Sequence, residues 1–358
     1  MHKLILFTDS LGPGGAQRQL CGLAVMLNQH NYDVVVLTYH SFDFYKSYLD
    51  ENAVQNLIVG NGCGAVKRIQ AIRRFLKKEN PQWVIAYQEA PSQIASIIKA
   101  TGLKFNLIVS ERNTTQQVTF KDNLRFFLYR CADAVVPNSY SQEYILSSRY
   151  VWMREKLKTI TNFVDLNSFS FNIHTRNDIP LIVTAASIWP PKNTLGLIEA
   201  LRIISLQNVS FKFKWYGYSS AHDDYFKLVQ SKIEEYGLNH YVELLPKTTN
   251  IAEEYRKCDY FCLPSFYEGV PNVIAEAMST GRPILCSNVC DNPRYVIEGV
   301  NGYLFDPYNP EDIADKIIKG LSISDHEYSQ MCKESRKRSE EMLSMDTFIN
   351  KYIEIIEG

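Results

Sequence analysis

The 358-residue chain is long for one domain and long enough for two domains that each bury a full core. Hydrophobic residues make up 46% and charged residues 22%, which excludes disordered and fibrous classes. The formal charge of −1 is unevenly distributed, because residues 1–168 carry 19 Lys and Arg against 13 Asp and Glu, while the remainder is net acidic. The near-neutral total argues against a nucleic-acid partner, and the basic half suits anionic ligands or an anionic membrane surface.

Short apolar runs alternate with amphipathic stretches in the first half of the chain, which predicts parallel sheet built from βαβ units. The predicted strands are 3–8, 33–38, 55–59, 82–87, 105–110, 133–136 and 157–161. The predicted helices are 16–29, 64–79, 92–101, 121–131 and 139–147. The first run stops at Thr8 and is too short for a secretory signal, so we expect a buried strand there.

The alternation pauses at 162–179, which is predicted to be a linker, and then resumes. The second series of predicted strands is 180–187, 210–217, 240–245, 260–263, 283–287 and 302–305. Its predicted helices are 193–206, 223–237, 271–280, 310–321, 325–342 and 345–357. We therefore predict an α/β protein with two doubly wound Rossmann-like domains, 1–168 and 169–340, in which helix 345–357 packs back on the first.

The placement of the cysteines and the hydropathy of the chain indicate the cellular compartment of the protein. The eight cysteines are scattered, with no C-x-x-C pair and no His at metal-ligand spacing, which favours buried free thiols in a reducing compartment. No apolar stretch approaches the ~20 residues that a membrane span needs. We therefore expect a cytoplasmic protein, at most peripheral on the inner face of a membrane.

Segment 264–283 is the most informative part of the chain, because Glu268 and Glu276 flank a helix predicted to begin at Pro271. The free N–H groups at that helix start favour an anion. Glu276, on the second turn, can accept hydrogen bonds from ribose hydroxyls, and Glu268 in the loop can face a sugar ring. Two isolated glutamates at this spacing would be read as solvated charges, but the Gly-Val-Pro, Ala-Met and Gly-Arg-Pro around them favour a binding site.

This E-x7-E block resembles that of the retaining glycosyltransferases of family 4, and the resemblance covers nearly the whole chain. Five further segments match in the family's order, at 14–18 (GGAQR), 110–113 (SERN), 162–165 (NFVD), 187–193 (SIWPPKN) and 301–305 (NGYLF). The resemblance implies the GT-B fold, in which two Rossmann-like domains face a cleft, with the acceptor bound by the first domain and the nucleotide-sugar donor by the second.

The resemblance also assigns donor residues. Lys192 would contact the donor diphosphate, where a fixed cation stabilises the charge of the leaving group. The family's usual Arg five residues earlier is Ser187 here, and Lys247 and Arg282 are candidate substitutes. The remaining predicted donor-binding residues are glycines and helix-start residues: Gly14, Gly15, Gly217, Val270, Pro271, Asn272 and Val273.

On the acceptor side, Arg112 occupies the position of a family histidine. An Arg can hydrogen-bond a sugar or phosphate but cannot act as a neutral base. In the front-face mechanism proposed for such enzymes, the leaving phosphate oxygen takes the acceptor proton. Glu268, Lys192 and Arg112 form the predicted catalytic set. Further acceptor candidates, each with a surface or structural role as the alternative, are Arg18, Glu89 and Glu111.

The resemblance implies a retaining transfer of a hexosyl-type sugar from a nucleotide sugar, with a UDP-sugar favoured over a GDP-sugar. No D-x-D pair occurs, so neither a metal nor another cofactor is expected. Basic, apolar-interleaved segments at 64–79 and 121–130 favour a lipid-linked saccharide acceptor in surface polysaccharide or glycolipid biosynthesis. A solvated basic face on an ordinary helix is the alternative.

Two other functions stay open at this stage. The departures at Ser187 and Arg112 are compatible with a non-catalytic nucleotide-sugar-binding protein. A nicotinamide-dependent oxidoreductase would share the Rossmann pattern, but it requires G-x-G-x-x-G after a strand, and Gly12-Pro13-Gly14-Gly15 does not have that spacing.

Overall fold

The computed structural model describes residues 3–113, 115, 118–218 and 223–358. The chain forms two compact units: unit 1 is Met1–Phe163 with Met345–Gly358, and unit 2 is Val164–Ser344. Within the described ranges, no helix is both long and apolar enough to cross a bilayer.

Unit 1 is a six-stranded parallel sheet of order β3-β2-β1-β4-β5-β6 with helices on both faces. Its strands are β1 Lys3–Phe7, β2 Asp33–Thr38, β3 Gln55–Ile58, β4 Trp83–Tyr87, β5 Asn106–Glu111 and β6 Ala134–Pro137. Its first six helices are α1 Gly15–Gln29, α2 Lys46–Glu51, α3 Ala65–Glu79, α4 Glu89–Ala100, α5 Phe120–Leu128 and α6 Tyr140–Arg149.

Unit 2 repeats this plan with the order β9-β8-β7-β10-β11-β12. Its strands are β7 Leu181–Ala185, β8 Lys212–Tyr218, β9 Val242–Pro246, β10 Tyr260–Leu263, β11 Ile284–Ser287 and β12 Gly302–Phe305. Its helices are α7 Thr194–Leu206, α8 Asp223–Glu235, α9 Ile251–Lys257, α10 Asn272–Ser279, α11 Asn292–Tyr295, α12 Pro310–Leu321 and α13 Asp325–Leu343. Both units therefore have the 3-2-1-4-5-6 strand order of dinucleotide-binding folds, and the predicted fold class is confirmed.

The central strands are apolar at successive positions because helices cover both faces of each sheet. In β1, Leu4 and Leu6 join one hydrophobic cluster, while Ile5 and Phe7 join the cluster on the other face. The unbroken apolar runs in the sequence thus reflect burial on two sides.

The last helix of the chain, α14 (Met345–Glu357), packs within unit 1. The Tyr352 hydroxyl lies 2.6 Å from the Tyr87 hydroxyl at the end of β4. Phe348 packs against Phe163, with ring centroids 4.9 Å apart. The segment that ends unit 2 is therefore followed by a helix that completes the core of unit 1.

The predicted strand at 157–161 is wrong, because this segment forms only an isolated bridge between Leu157 and Val135. Its buried side chains are Leu157 and Ile160, three residues apart. Strand side chains alternate with a period of two, so these two residues would point to opposite faces of a strand.

Replacing Tyr352 with Ala should destabilise unit 1 by about 3–5 kcal/mol, because a fully buried ring and its hydroxyl partner are lost. Urea denaturation measures this change. Glu354→Ala, at an exposed position of the same helix, should cost far less. Equal losses from both variants would contradict a core role for α14.

Candidate functional site

In unit 2, the strand order reverses between β7 and β10, and the chain leaves these neighbouring strands toward opposite sides. The loops that follow their carboxyl ends therefore open a crevice, which is where open α/β sheets bind ligands. The loop after β7 carries Ser187 and Lys192, and the loop after β10 carries Glu268.

An ion pair joins these two loops. The Lys192 Nζ lies 2.6 Å from the Glu268 Oε1, and the two side chains are 23% and 10% exposed. Next to the pair, the Phe266 N–H donates to the Pro191 carbonyl at 3.0 Å. Because the pair is mostly shielded from water, its attraction is screened less than that of a surface pair. Two predicted catalytic residues from distant parts of the chain thus lie in direct contact.

A third loop, after β11, also reaches Glu268. The Glu268 N–H donates to the Cys290 Sγ at 3.5 Å, and Cys290 has a left-handed backbone with φ 51°. No sequence motif marks Cys290 as a site residue. The one available signal is its position shortly after the predicted strand 283–287. Glu268 is therefore held by loops from three adjacent strands.

Helix α10 begins one residue later than predicted. Pro271 precedes its first residue, Asn272, and the Asn272 N–H donates to the Val270 carbonyl at 2.9 Å. A phosphate could accept a hydrogen bond from the Asn272 N–H only by replacing this bond. Val273 is the next residue and lies on the first helical turn. Glu276 lies on the second turn and is only 6% exposed.

Lys192 precedes α7, which begins one residue later than the predicted start at 193. It ends a 3-10 turn, Pro190–Lys192, and α7 begins at Thr194 after Asn193, whose backbone is left-handed with φ 53°. The Asn193 side-chain amide donates to the Pro307 carbonyl at 2.7 Å. Two prolines and a left-handed residue interrupt the helical path and fix this loop.

Gly217 supports the loop after β7. Its φ is +152°, and a Cβ there would lie 1.8 Å from the Ala186 carbonyl oxygen. The Trp215 Nε1 donates to the same oxygen at 2.6 Å. The close approach of the Gly217 backbone to the Ala186 carbonyl, beside Ser187, is therefore sufficient to explain a glycine at this position.

The position of Ser187 lacks the cation expected there, and Arg282 does not supply it. Arg282 is fully buried, and its guanidinium donates to the carbonyl oxygens of three residues, Cys258, Asn172 and Thr280. Lys247 is exposed and follows β9, two strands away from β7. Lys192 is thus the cation that the structure brings to Glu268.

Unit 1 has its own reversal between β1 and β4. The Thr8 Oγ1 donates to the Gln88 Oε1 at 2.9 Å across these strand ends, and Gln88 has a φ of 72°. Gly14 precedes α1, which begins at Gly15, and a Cβ on Gly14 would lie 2.1 Å from the Gln17 Oε1. Arg18 lies on the first turn of α1. Thr8 and Gln88 were not predicted, since no local motif marks them.

Arg112 follows β5 and is held by its own unit. Its guanidinium lies 4.6 Å from the centre of the Tyr87 ring. It donates to the Ser110 Oγ at 3.3 Å and to the Asn162 Oδ1. The structure thus joins two of the motifs that carry the family resemblance, at 110–113 and 162–165.

The acceptor candidates Glu89 and Glu111 both pair with Arg125, which is only 3% exposed. Glu111 is 2% exposed and accepts a hydrogen bond from the Tyr129 hydroxyl. Burial raises the pKa of the Glu111 carboxyl, while Arg125 and Tyr129 oppose that rise. This geometry favours the structural alternative for Glu111. The Glu89 side chain is 54% exposed, so it can contact a ligand.

Potential metal ligands and cysteines are dispersed among the described residues. In the part of the chain that the structure describes, no three His, Cys, Asp or Glu side chains are grouped to hold a metal ion. All eight cysteines are free thiols, and five are buried. Independence from metal remains a prediction.

The two Rossmann-like units and their strand order define a protein of the GT-B fold class. Residues 167–339 match the family model of the glycosyl transferases group 1, and residues 13–168 match that of glycosyltransferase family 4. The chain belongs to this glycosyltransferase family, as the motifs predicted.

Known proteins show the same relationship. An uncharacterized glycosyltransferase of Haemophilus influenzae is 30% identical over 47% of this chain, a match that spans about half (51%) of that relative. The GalNAc-alpha-(1->4)-GalNAc-alpha-(1->3)-diNAcBac-PP-undecaprenol alpha-1,4-N-acetyl-D-galactosaminyltransferase of Campylobacter jejuni is 25% identical over 78% of this chain and 77% of its own length. The structure of Anabaena HepE in complex with UDP superposes with a TM-score of 0.84 at 18% identity, covering 100% of both chains.

The close approach at Gly217 can be tested against Gly237, which has a φ of +68° and open space around it. Gly237→Ala should cost about 1–2 kcal/mol, from backbone strain alone. Gly217→Ala should cost at least about 2 kcal/mol more, because the Cβ collides with the Ala186 carbonyl. Urea denaturation compares the two variants, and equal costs would contradict the described packing.

Proposed function

We propose that this protein is a retaining glycosyltransferase that moves a hexosyl-type sugar from a UDP-sugar to a lipid-linked saccharide without a metal ion. The observation that carries the proposal is the Lys192–Glu268 ion pair at the β7–β10 crevice, with Glu276 on the helix that follows. Unit 2 is the proposed donor-binding unit, and unit 1 is the proposed acceptor-binding unit.

The donor nucleotide would lie along the loops of unit 2. A buried carboxylate at Glu276 can accept hydrogen bonds from both ribose hydroxyls, as acidic residues do in dinucleotide folds. The start of α10, with the N–H group of Val273, offers a positive dipole end to a phosphate. UDP is favoured because HepE, which has this fold, was solved with UDP.

Lys192 would stabilise the departing diphosphate. Cleavage of the bond between the sugar and the phosphate increases the negative charge on the phosphate oxygens, and a preorganised ammonium group lowers the energy of that state. Glu268 holds Lys192 in place through the 2.6 Å contact and offers its other carboxylate oxygen to a sugar hydroxyl. Neither role needs a metal ion.

Retention follows in this proposal from attack on the face that the diphosphate leaves. The acceptor oxygen then lies beside a phosphate oxygen, which takes its proton, so no side-chain base is required. Arg112 fits such a mechanism because a guanidinium binds anionic or hydroxyl oxygens without accepting a proton.

A lipid-linked acceptor is proposed from the relatives and from charge. The Campylobacter jejuni relative is named for an acceptor carried on undecaprenyl diphosphate. Residues 1–168 of this chain carry the net positive charge that an anionic acceptor would favour.

The direct test is a panel of nucleotide sugars, with release of free nucleoside diphosphate measured in the presence and absence of a polyprenyl-linked saccharide. We expect turnover with a UDP-sugar that depends on the acceptor and persists in EDTA. Binding of NAD(H) with no binding of any nucleotide sugar would overturn the proposal. Inversion at the anomeric carbon would overturn its retaining part.

Replacing Glu276 with Ala should weaken binding of both UDP and uridine by about 1–3 kcal/mol, because hydrogen bonds from the ribose to a charged group are lost. Calorimetric titration of each ligand measures the change, with Glu340→Ala, a half-exposed carboxylate of α13, as control. Unchanged uridine affinity would rule out the ribose role.

Replacing Lys192 with Ala should lower kcat by about 100- to 1000-fold, since charge stabilisation at the leaving group is lost. UDP affinity should fall while uridine affinity stays constant, because uridine has no phosphate. Lys192→Arg should recover part of kcat, and Lys333→Ala, an exposed lysine of α13, should change nothing. Equal losses of uridine and UDP affinity would show a folding defect instead of a phosphate contact.

A further inference from the structure

Helix α5 of unit 1 presents apolar side chains on two opposite faces. Phe126 is fully buried on the inner face, as is Tyr129 just after the helix. On the outer face, Phe120, Leu124 and Phe127 are 84%, 56% and 59% exposed. Their spacing of four and three residues aligns them in one stripe along the helix. Single exposed apolar residues need no explanation, but an aligned stripe of three marks an interaction surface.

Basic and aromatic side chains continue this stripe. The Arg130 guanidinium lies 5.4 Å from the centre of the Phe127 ring and 5.1 Å from that of Trp152. Lys121 and Arg130 are exposed on either side of the stripe. The acidic residue of this helix, Asp122, is engaged by Arg125 at 3.0 Å. The outer face of α5 therefore combines apolar rings with positive charge that no carboxylate of the helix offsets.

The other basic helix, α3, has a different surface. Its exposed positions include Lys67, Arg74 and Lys78, but its inward residues Ile72 and Leu76 are buried. Val66 is the large apolar side chain that α3 exposes. Helix α3 thus offers charge without an apolar stripe that could enter a bilayer.

We propose that the α5 surface, formed by Phe120, Leu124, Phe127, Lys121, Arg130 and Trp152, docks unit 1 on an anionic phospholipid bilayer. Rings and a leucine on one helix face enter the headgroup boundary, and flanking cations pair with lipid phosphates. This inference rests on the proposed function only in that a lipid-linked acceptor lies in such a bilayer.

Cosedimentation of the whole chain with vesicles tests the proposal. We expect binding to phosphatidylcholine vesicles that contain phosphatidylglycerol, weaker binding to phosphatidylcholine alone, and weakening by salt. The variant Phe120→Ser/Leu124→Ser/Phe127→Ser should reduce partitioning at least about tenfold, because the inserted apolar area is lost. The matched control Ile173→Ser/Leu206→Ser/Leu228→Ser removes three exposed apolar side chains from unit 2 and should bind like the unaltered chain.

Charge variants separate the two helices. Lys121→Gln/Arg130→Gln should weaken binding to anionic vesicles, and Arg74→Gln/Lys78→Gln on α3 should leave it nearly unchanged. Vesicle binding that survives the α5 triple variant, or that depends on α3 instead, would overturn the proposal. So would a dimer that the triple variant disperses without any change in vesicle binding, because the stripe would then contact a second copy.

Failure of this inference can be distinguished from failure of the proposed function. The triple variant should keep its UDP affinity and its turnover of a detergent-solubilised acceptor. Loss of vesicle binding alone therefore supports the α5 surface, whereas failure of every nucleotide sugar to bind would affect only the proposed chemistry.

Discussion

The reversal of strand order between β7 and β10 is the constraint on which the proposed donor site depends. Because both crossovers leave from neighbouring strand ends, the loops with Lys192 and Glu268 are brought together although the two residues are 76 positions apart in the chain. The 2.6 Å ion pair then fixes each loop against the other. Cys290, from the next strand, holds the Glu268 backbone. These loops contain little regular secondary structure of their own. The sheet and helices of unit 2 must therefore pack before the loops can form the site.

Much of the fold follows from hydrophobic pattern. All twelve described strands are apolar or alternating runs that the sequence marks within about two residues, and β2, β10 and β12 are marked at their observed bounds. The errors lie where packing overrides pattern. Segment 157–161 has apolar residues but the wrong spacing for a strand. Helix α2 has six residues and buries only Leu49, so it shows no periodicity to detect.

The site was partly predictable for a different reason. Glu268, Glu276 and Lys192 stand in the motifs that carry the family resemblance, so local sequence identifies them. Gln88 and Cys290 act through backbone conformation and contacts between strand ends, which only the topology brings about. Arg282 was an available cation in the sequence, but its burial among carbonyl oxygens makes it structural. Glu111 was an acceptor candidate in the sequence, but its burial against Arg125 and Tyr129 favours a structural role.

The central claim is that a nucleoside diphosphate binds at the Lys192–Glu268 pair of unit 2. Hydrogen–deuterium exchange of the whole chain, with and without saturating UDP, tests it most directly. We predict slower exchange in residues 187–194 and 266–276, the loops after β7 and β10 and the first turn of α10. Protection confined to the glycine-rich loop of unit 1, or no protection at a concentration that saturates binding, would contradict the account.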